Sequence, residues 1–531
     1  MERCIGRWLR LGLVAVTVVV LFVAGSMRPA QAAETADPVT IITVNSGTDP
    51  DDNLSRTCLT HTPCTLRRAI VQARNLSSAQ RPVLINFDIP QDAQHGYDAT
   101  HQLWRIQVYN TTQTSIFRRL NGDIIIDGST QPGGRTTGPK IMIVGPGTGM
   151  KDGLIVGDVA GNDNHVIRGL GFQNLRTNIY VNTDYNVIEG NWFGLDDAGT
   201  APLLRSNDPQ NGSGSDGIAL MTGADHNEVR GNVFLGLNGV AVAVRGTHNS
   251  VHENYIGTRS DGRVTQKQAD PSLLCTPQDW LGGSGLSVAD TDNTVRDNVI
   301  AGVRIQVSQW SLQADAIRVS GQRHVIEGNR IGRDAGNAAI GVCGRGVYLS
   351  DGPKNLLIQD NQIIEPGLSA ISLNGVLYDA NTLRRNVIVK TSAWPEVDLN
   401  PKPEDAIQVG PNLPAAFQAF QPARVTQIDG TTVRGTAGTS SPCPNCIIEL
   451  VRDDSDGVVE ALASLAVVTA NAQGVWTATL SAPLASGQGI RTTSTTAQYN
   501  TIAGMSSGTT TGLSELYTSE YVVYIPLVVR R

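Results

Sequence analysis

A short phrase recurs eight times between residues 165 and 388, and a chain built on such a repeat has few folds open to it. The copies read HVIRGLGF (165–172), NVIEGNWFG (186–194), NEVRGNVFLG (227–236), NSVHENYIG (249–257), NTVRDNVIAG (293–302), HVIEGNRIG (324–332), LLIQDNQI (356–363) and NTLRRNVI (381–388). Aligned on Asn191, Asn232, Asn254, Asn298, Asn329, Asn361 and Asn386, with Leu170 in the first copy, they agree at two further places. Three residues earlier stand Ile167, Ile188, Val229, Val251, Val295, Ile326, Ile358 and Leu383; two residues later stand Phe172, Phe193, Phe234, Ile256, Ile300, Ile331, Ile363 and Ile388. An aliphatic or aromatic residue at both places in every copy marks two inward-facing columns.

Each copy follows a second short apolar run, such as GLIV (153–156), NIYV (178–181) and GVYL (346–349). Short strands every ~20–25 residues, broken by Gly and Asn turns, are the signature of a β-solenoid. A leucine-rich horseshoe needs Leu at fixed spacing and a helix per repeat, and that pattern is missing. One coil cannot bury its apolar face alone, whereas stacked coils pair their backbones ~4.8 Å apart and align their inward side chains. The Asn column belongs at a turn, where Asn tolerates left-handed backbone and its amides can form a ladder. Residues 151–390 therefore read as eight regular coils, and 40–150 as an N-terminal cap with irregular coils. In that cap TLRRAIVQA (65–73) places Leu66, Ala69, Ile70 and Ala73 at helical spacing, which predicts a helix plugging the open end of the core.

The flanks differ. Residues 1–32 have a basic start (Arg3, Arg7, Arg10), an apolar run from Leu11 to Gly25 and Ala30-Gln31-Ala32, the pattern of a cleaved secretory signal. Its removal leaves 37 basic against 47 acidic side chains, a net charge of −10, which argues against nucleic acid as a partner. No later run is apolar and long enough for a membrane span, so the mature chain is expected to be secreted or at the cell surface, as a monomer. Six cysteines then remain, an even number that suggests disulfides in an oxidising compartment. The simplest pairing is local, Cys58 with Cys64 and Cys443 with Cys446, leaving Cys275 with Cys343. Residues 391–424 are Pro-rich and lose the repeat, as a linker or cap would; 425–516 alternate apolar and polar residues like a small β-sandwich. The tail at 517–531 reads either as a sorting signal or as a final strand.

The segment CTLRRAIVQAR (64–74) resembles the "CSLREA" segment of secreted bacterial β-helix proteins, with Arg68 where that family carries Glu. IIIDGSTQPG (124–133) and GNWFGLDDAGT (190–200) resemble their repeats, and 425–516 looks like the immunoglobulin-like modules of secreted bacterial proteins. The resemblance implies an all-β chain: a right-handed parallel β-helix with an N-terminal capping helix, followed by a small β-sandwich. It implies no activity.

Function is less legible. The outward position two before the aligned Asn carries Arg168, Glu189, Arg230, His252, Arg296, Glu327, Gln359 and Arg384. Its alternating signs read first as cross-strand ion pairs. The sharper reading is a stripe for acidic glycans built on Arg168, Arg230 and Arg296, with Trp192 and Tyr255 as stacking platforms. Inserts at 196–216 and 258–284 would project from one edge. Asp196-Asp197 invites comparison with polygalacturonase-type hydrolases, but FGLDDAGT aligns with the turns YIGTRSDGR (255–263) and IGRDAGN (331–337), so no catalytic residue is assigned. Nor is any cofactor or metal assigned, Ca²⁺ being implied only for a lyase. The expected role is a secreted or surface scaffold, adhesin-like, with extracellular polysaccharide as its partner. The alternative is a polysaccharide lyase or glycoside hydrolase in a loop-walled groove, which would need a carboxylate pair converging with an Arg beside one sheet.

Overall fold

The computed structural model describes residues 37–49, 53, 55–108, 115–146, 151–158, 164–203, 216–237, 239–264, 285–303, 315–373, 380–390, 406–409, 420–436, 443–496 and 507–518. Residues 1–32, expected to be a secretory signal, and Cys275 lie outside these residues.

Among the described residues, three sheets of eleven, eleven and nine strands stack along one axis. Every strand pair within them is parallel, save Tyr97–Asp98 against Leu103–Gln107 at one edge. This is a parallel β-helix. The register is the one read from the repeats: Ile188 lies between Ile167 and Val229 in the first sheet, and Phe193 between Phe172 and Phe234 in the second. Both columns are buried. The three phenylalanines stack, their ring centroids 5.1 and 4.8 Å apart and nearly parallel, which adds ~0.5–1.5 kcal/mol per pair beyond burial.

The corners explain the Asn column. Each aligned Asn side chain turns inward, and its amide donates to the next coil's amide oxygen at 2.9–3.1 Å from Asn191 through Asn386. The left-handed backbone expected of these Asn residues falls instead on the residue before each: Gly169, Gly190, Gly231, Glu253, Asp297, Gly328, Asp360 and Arg385 all have φ of 51–67°. The reason is geometric: the preceding residue makes the turn so that the Asn can point into the core.

A second corner repeats this device five residues earlier. Left-handed residues Asn164, Tyr185, His226, His248, Asp292, Arg323, Asn355 and Ala380 each precede a buried residue. Those buried residues are His165, Asn186, Asn227, Asn249, Asn293, His324, Leu356 and Asn381. Here too the amides bond coil to coil, Asn186 to Asn227 at 2.8 Å and Asn227 to Asn249 at 3.1 Å. In His324 the same role passes to an imidazole, whose Nδ1 accepts the Asn293 N–H and whose Nε2 meets Ser320 O.

Both ends of the rod are covered. Helix α1 (Leu66–Arg74), capped by Thr65, buries Leu66, Ala69, Ile70 and Ala73 against the first strands. Its Arg67 is buried with Asp49, a pair that ties the helix to the start of the rod. At the other end the rod does not stop at 390. Ile407–Val409 pairs with Ile371–Leu373, so a further strand of the third sheet lies within the Pro-rich segment read as a linker or cap.

Among the described residues the C-terminal β-sandwich has antiparallel sheets of three and four strands around Trp476, Val433, Ile448, Leu450 and Ile490. Tyr517–Thr518, the start of the tail, adds the last strand; 519–531 lie outside the described residues. This module meets the open backbone of the final coil. Ile388 and Ala461 exchange backbone hydrogen bonds, Leu383 N–H donates to Thr510 Oγ1, and the Glu449 carboxylate accepts from Arg385 N–H. Cys58–Cys64 and Cys443–Cys446 are bonded, and Cys343 is a disulfide cysteine.

Candidate functional site

The arginine column on the first sheet is matched by carboxylates. Arg168 bonds Asp127 at 2.8 Å and lies 3.5 Å from Glu189; Arg230 bonds Glu189 at 2.7 Å and Glu228 at 2.9 Å; Arg296 bonds Asp297 at 2.9 Å. His252 hydrogen-bonds Glu228 at 2.7 Å, and that bond holds the Glu228 carboxyl below its ordinary range. Acidic partners thus already occupy the cationic groups on which a glycan stripe would depend.

Trp192 and Tyr255 lie on a different face, the second sheet. Trp192 is only 9% exposed, packed with Leu195, Val233 and Leu235, with Tyr255 against the same cluster. The turn loops fold back over these rings: a Cβ on Gly138 or Gly199 would come within 2.4 Å of the Trp192 indole, and one on Gly262 within 2.8 Å of the Tyr255 ring. The indole that the sequence offered as a stacking platform therefore anchors loops to the sheet, because an apolar ring beside a long turn is better buried than wet. The loops also join one another, Ser260 N–H to Gly199 O and Ala335 N–H to Gly262 O, forming a wall along the sheet.

At the N-terminal end of that wall a polar cluster converges. The hairpin of Tyr97–Asp98 and Leu103–Gln107 supplies Asp98, His101 and Arg105, and the turn after Trp192 supplies Asp197. His101 Nδ1 lies 2.9 Å from Asp98 Oδ2 and 3.9 Å from Asp197 Oδ2. Arg105 pairs with Asp197 and lies 3.6 Å from Asp98, while Gln173 Nε2 donates to Asp197 Oδ1 at 3.1 Å. Arg135 donates to the Asp197 carbonyl and stands 4.8 Å from the centre of the Trp192 ring; burial lowers its pKa to about 10, against the pull of Asp196.

The chemistry of the cluster follows from its partners. Burial raises the Asp98 pKa, but hydrogen bonds from His101 and two backbone N–H groups outweigh that, leaving the carboxyl below its ordinary range. Asp196 is a turn residue, its carboxylate accepting from Thr200 and Ala201 N–H. The structure brings Asp197 and Trp192 to this site through Arg135; Arg168, Arg230 and Arg296 are on another face. Asp98, His101, Arg105 and Gln173 escaped the sequence reading. Asp98, His101 and Arg105 sit in the irregular first coils, where no repeat sets their register; Gln173 directly follows the first repeat copy, and Asp98 is 99 residues from Asp197.

No protein-family model and no curated protein matches this chain. Among solved structures it is similar to a tailspike protein mutant of E. coli bacteriophage HK620 in complex with a pentasaccharide, at 12% identity and TM-score 0.29 over 80% of this chain and 87% of that one. The Dettilon tailspike protein is similar at 12% identity and TM-score 0.32, covering 86% and 78%. The catalytic domain of a GH87 α-1,3-glucanase in complex with nigerose is similar at 12% identity and TM-score 0.28, covering 67% and 58%. At these values no residue of those proteins is carried onto this chain.

Proposed function

We propose that the chain is an extracellular β-helix scaffold that engages polysaccharide on the outer face of the second sheet, around Asp98, His101, Arg105 and Asp197, without cleaving it. The observation that carries this reading is the convergence of two carboxylates, a guanidinium and an imidazole on one face beside a wall of loops. Such a set offers sugar hydroxyls both charged acceptors and planar donors. Glycoside hydrolysis needs one carboxylic acid kept protonated by a raised pKa. Asp98 is shifted the other way, and Asp197 is bound by Arg105 and Gln173. Secretion rests on the signal pattern at 1–32; among the described residues no helix is long and apolar enough to cross a membrane.

One observation favours a second reading. His101 gives Nδ1 to Asp98, which leaves Nε2 as the nitrogen that could take a sugar proton in a lyase reaction. Retention of the full mature chain on immobilised neutral and acidic polysaccharides, with product analysis in parallel, separates the two. Binding that weakens about tenfold in Asp197→Asn and Arg105→Ala, with no product, supports the scaffold. Binding unchanged in both variants overturns it. Unsaturated products that vanish in His101→Gln would replace it with a lyase.

A further inference from the structure

The joint between the rod and the C-terminal module rests on two buried carboxylates with unlike surroundings. Glu449, on the strand Ile447–Asp454, accepts Arg385 N–H through both oxygens at 2.9 and 3.0 Å, and Ser464 Oγ at 2.6 Å. Burial raises its pKa, and the Ser464 and Arg385 N–H hydrogen bonds with the charges of Arg384 and Arg385 oppose that rise. Glu460, in the loop that follows that strand, accepts Lys390 N–H at 2.5 Å and is 3% exposed. Both residues thus terminate the backbone of the last coil, on either side of the Ile388–Ala461 bridge.

Around Glu460 the charges are mostly of its own sign. Asp453, fully buried, Asp454 and Asp456 face it from the same strand and loop. The Glu460 N–H itself points to Asp453 Oδ2 at 3.4 Å. Arg491 is committed to Asp453 and to the Ser514 carbonyl, and the Lys390 ammonium donates to Leu368 O at 3.0 Å. A protonated Glu460 keeps a carbonyl oxygen for Lys390 N–H and loses its repulsion from the aspartates.

We propose that Glu460 is a proton-operated latch: protonated, it holds the C-terminal module onto the last coil, and ionised, it loosens that joint. The geometry carries the proposal, and titration sets its range. Burial raises the Glu460 pKa to about 7, with the three aspartates adding to the rise and Lys390 N–H opposing it. An undocked Glu460 would titrate near the ordinary glutamate value of 4.5. Docking is then strongest in acid and weakens as pH rises from that value to about 7, with no further change above it.

The test is hydrogen exchange of the Ile388, Lys390 and Ala461 amides in the full chain, corrected for intrinsic rates, at pH 5.5 and 8.5 with a chelator present. Opening of these amides should rise by about 30-fold between the two pH values, while Val251 in the middle of the rod stays unchanged. Glu460→Gln, which mimics the neutral acid, should remove most of the rise. Glu449→Gln should loosen the joint at both pH values and keep the larger part of the rise, since the raised pKa of Glu449 is opposed by four donors and charges and that of Glu460 by Lys390 N–H alone. Equal protection of Lys390 at both pH values in the unmodified chain overturns the latch, and that measurement does not depend on any variant folding. So does Ca²⁺ restoring protection at pH 8.5, which would assign the acidic loop to a cation.

Discussion

The rod and the C-terminal module are both β-structure, yet they reach stability differently. The rod uses strands of two to five residues, each too short to stand alone, and repeats one contact along an axis. The module uses strands of up to eight residues in antiparallel sheets closed around a single core. In the rod, polar groups are part of the repeat, since two buried ladders run through the corners. In the module, buried charge gathers at the joint, in Glu449, Asp453 and Glu460. A linear stack gains by making each coil fit its neighbours and leaves two open ends. A closed sandwich can serve as the stopper for one of them.

The hardest blow to that contrast is a break in the middle of a ladder. Asn298 accepts from Asn254 N–H and its amide, and donates to Asn329, Val251 and Arg296. Asn298→Ala orphans several buried groups at once and should cost roughly 3–5 kcal/mol, read as a lower urea midpoint in chemical denaturation. If stability is shared coil by coil, the loss of protection in hydrogen exchange should spread from this coil and spare the module. A uniform loss across the chain would show instead that rod and module unfold together.

Breaking the joint is the next test. Thr510→Val removes the acceptor for Leu383 N–H and a partner of Thr495, at a cost of about 1–3 kcal/mol. It should separate the thermal transition of the module from that of the rod in calorimetry.

A smaller effect sharpens the comparison through pH. Burial lowers the His324 pKa below 6.5, so the folded rod holds this ring neutral while the unfolded chain protonates it. Its contribution is complete above pH 6.5 and is lost as pH falls towards the folded pKa. His324→Asn, the residue the ladder uses elsewhere, should flatten that acid limb in pH-dependent denaturation. Rod and joint then respond to acid with opposite signs, since Glu460 favours docking there.

The smallest effect belongs to the surface ladder. Arg230, 36% exposed at its side chain, pairs with Glu189 on the neighbouring coil and with Glu228 on its own strand. Arg230→Ala should change stability by less than about 1 kcal/mol, a difference that high salt should shrink further.

The repeat was readable because each coil answers the same local demand, an apolar residue inward and a turn at the corner. Ile188 and Phe193 therefore sit where their spacing places them, and the helix at Leu66 covers the end that an open solenoid must cover. Sequence alone also placed Cys58 beside Cys64 and Cys443 beside Cys446. The second ladder was written in the same phrase, as the Asn or His that opens most copies, yet it went unread because polar residues at strand starts suggest turns rather than buried amides. What the tertiary structure decided is everything that depends on contact between segments with no shared period. Trp192 is buried because a loop from an earlier coil, at Gly138, and its own following turn, at Gly199, close over it. Asp98 meets Asp197 because the irregular first coils bring a hairpin against a later turn, and Glu460 meets Lys390 because the module folds onto the last coil. Periodicity carries information about neighbours in the stack; it carries none about the partners a side chain finds across a long gap in sequence, and those partners set the charge and chemistry of both the candidate site and the joint.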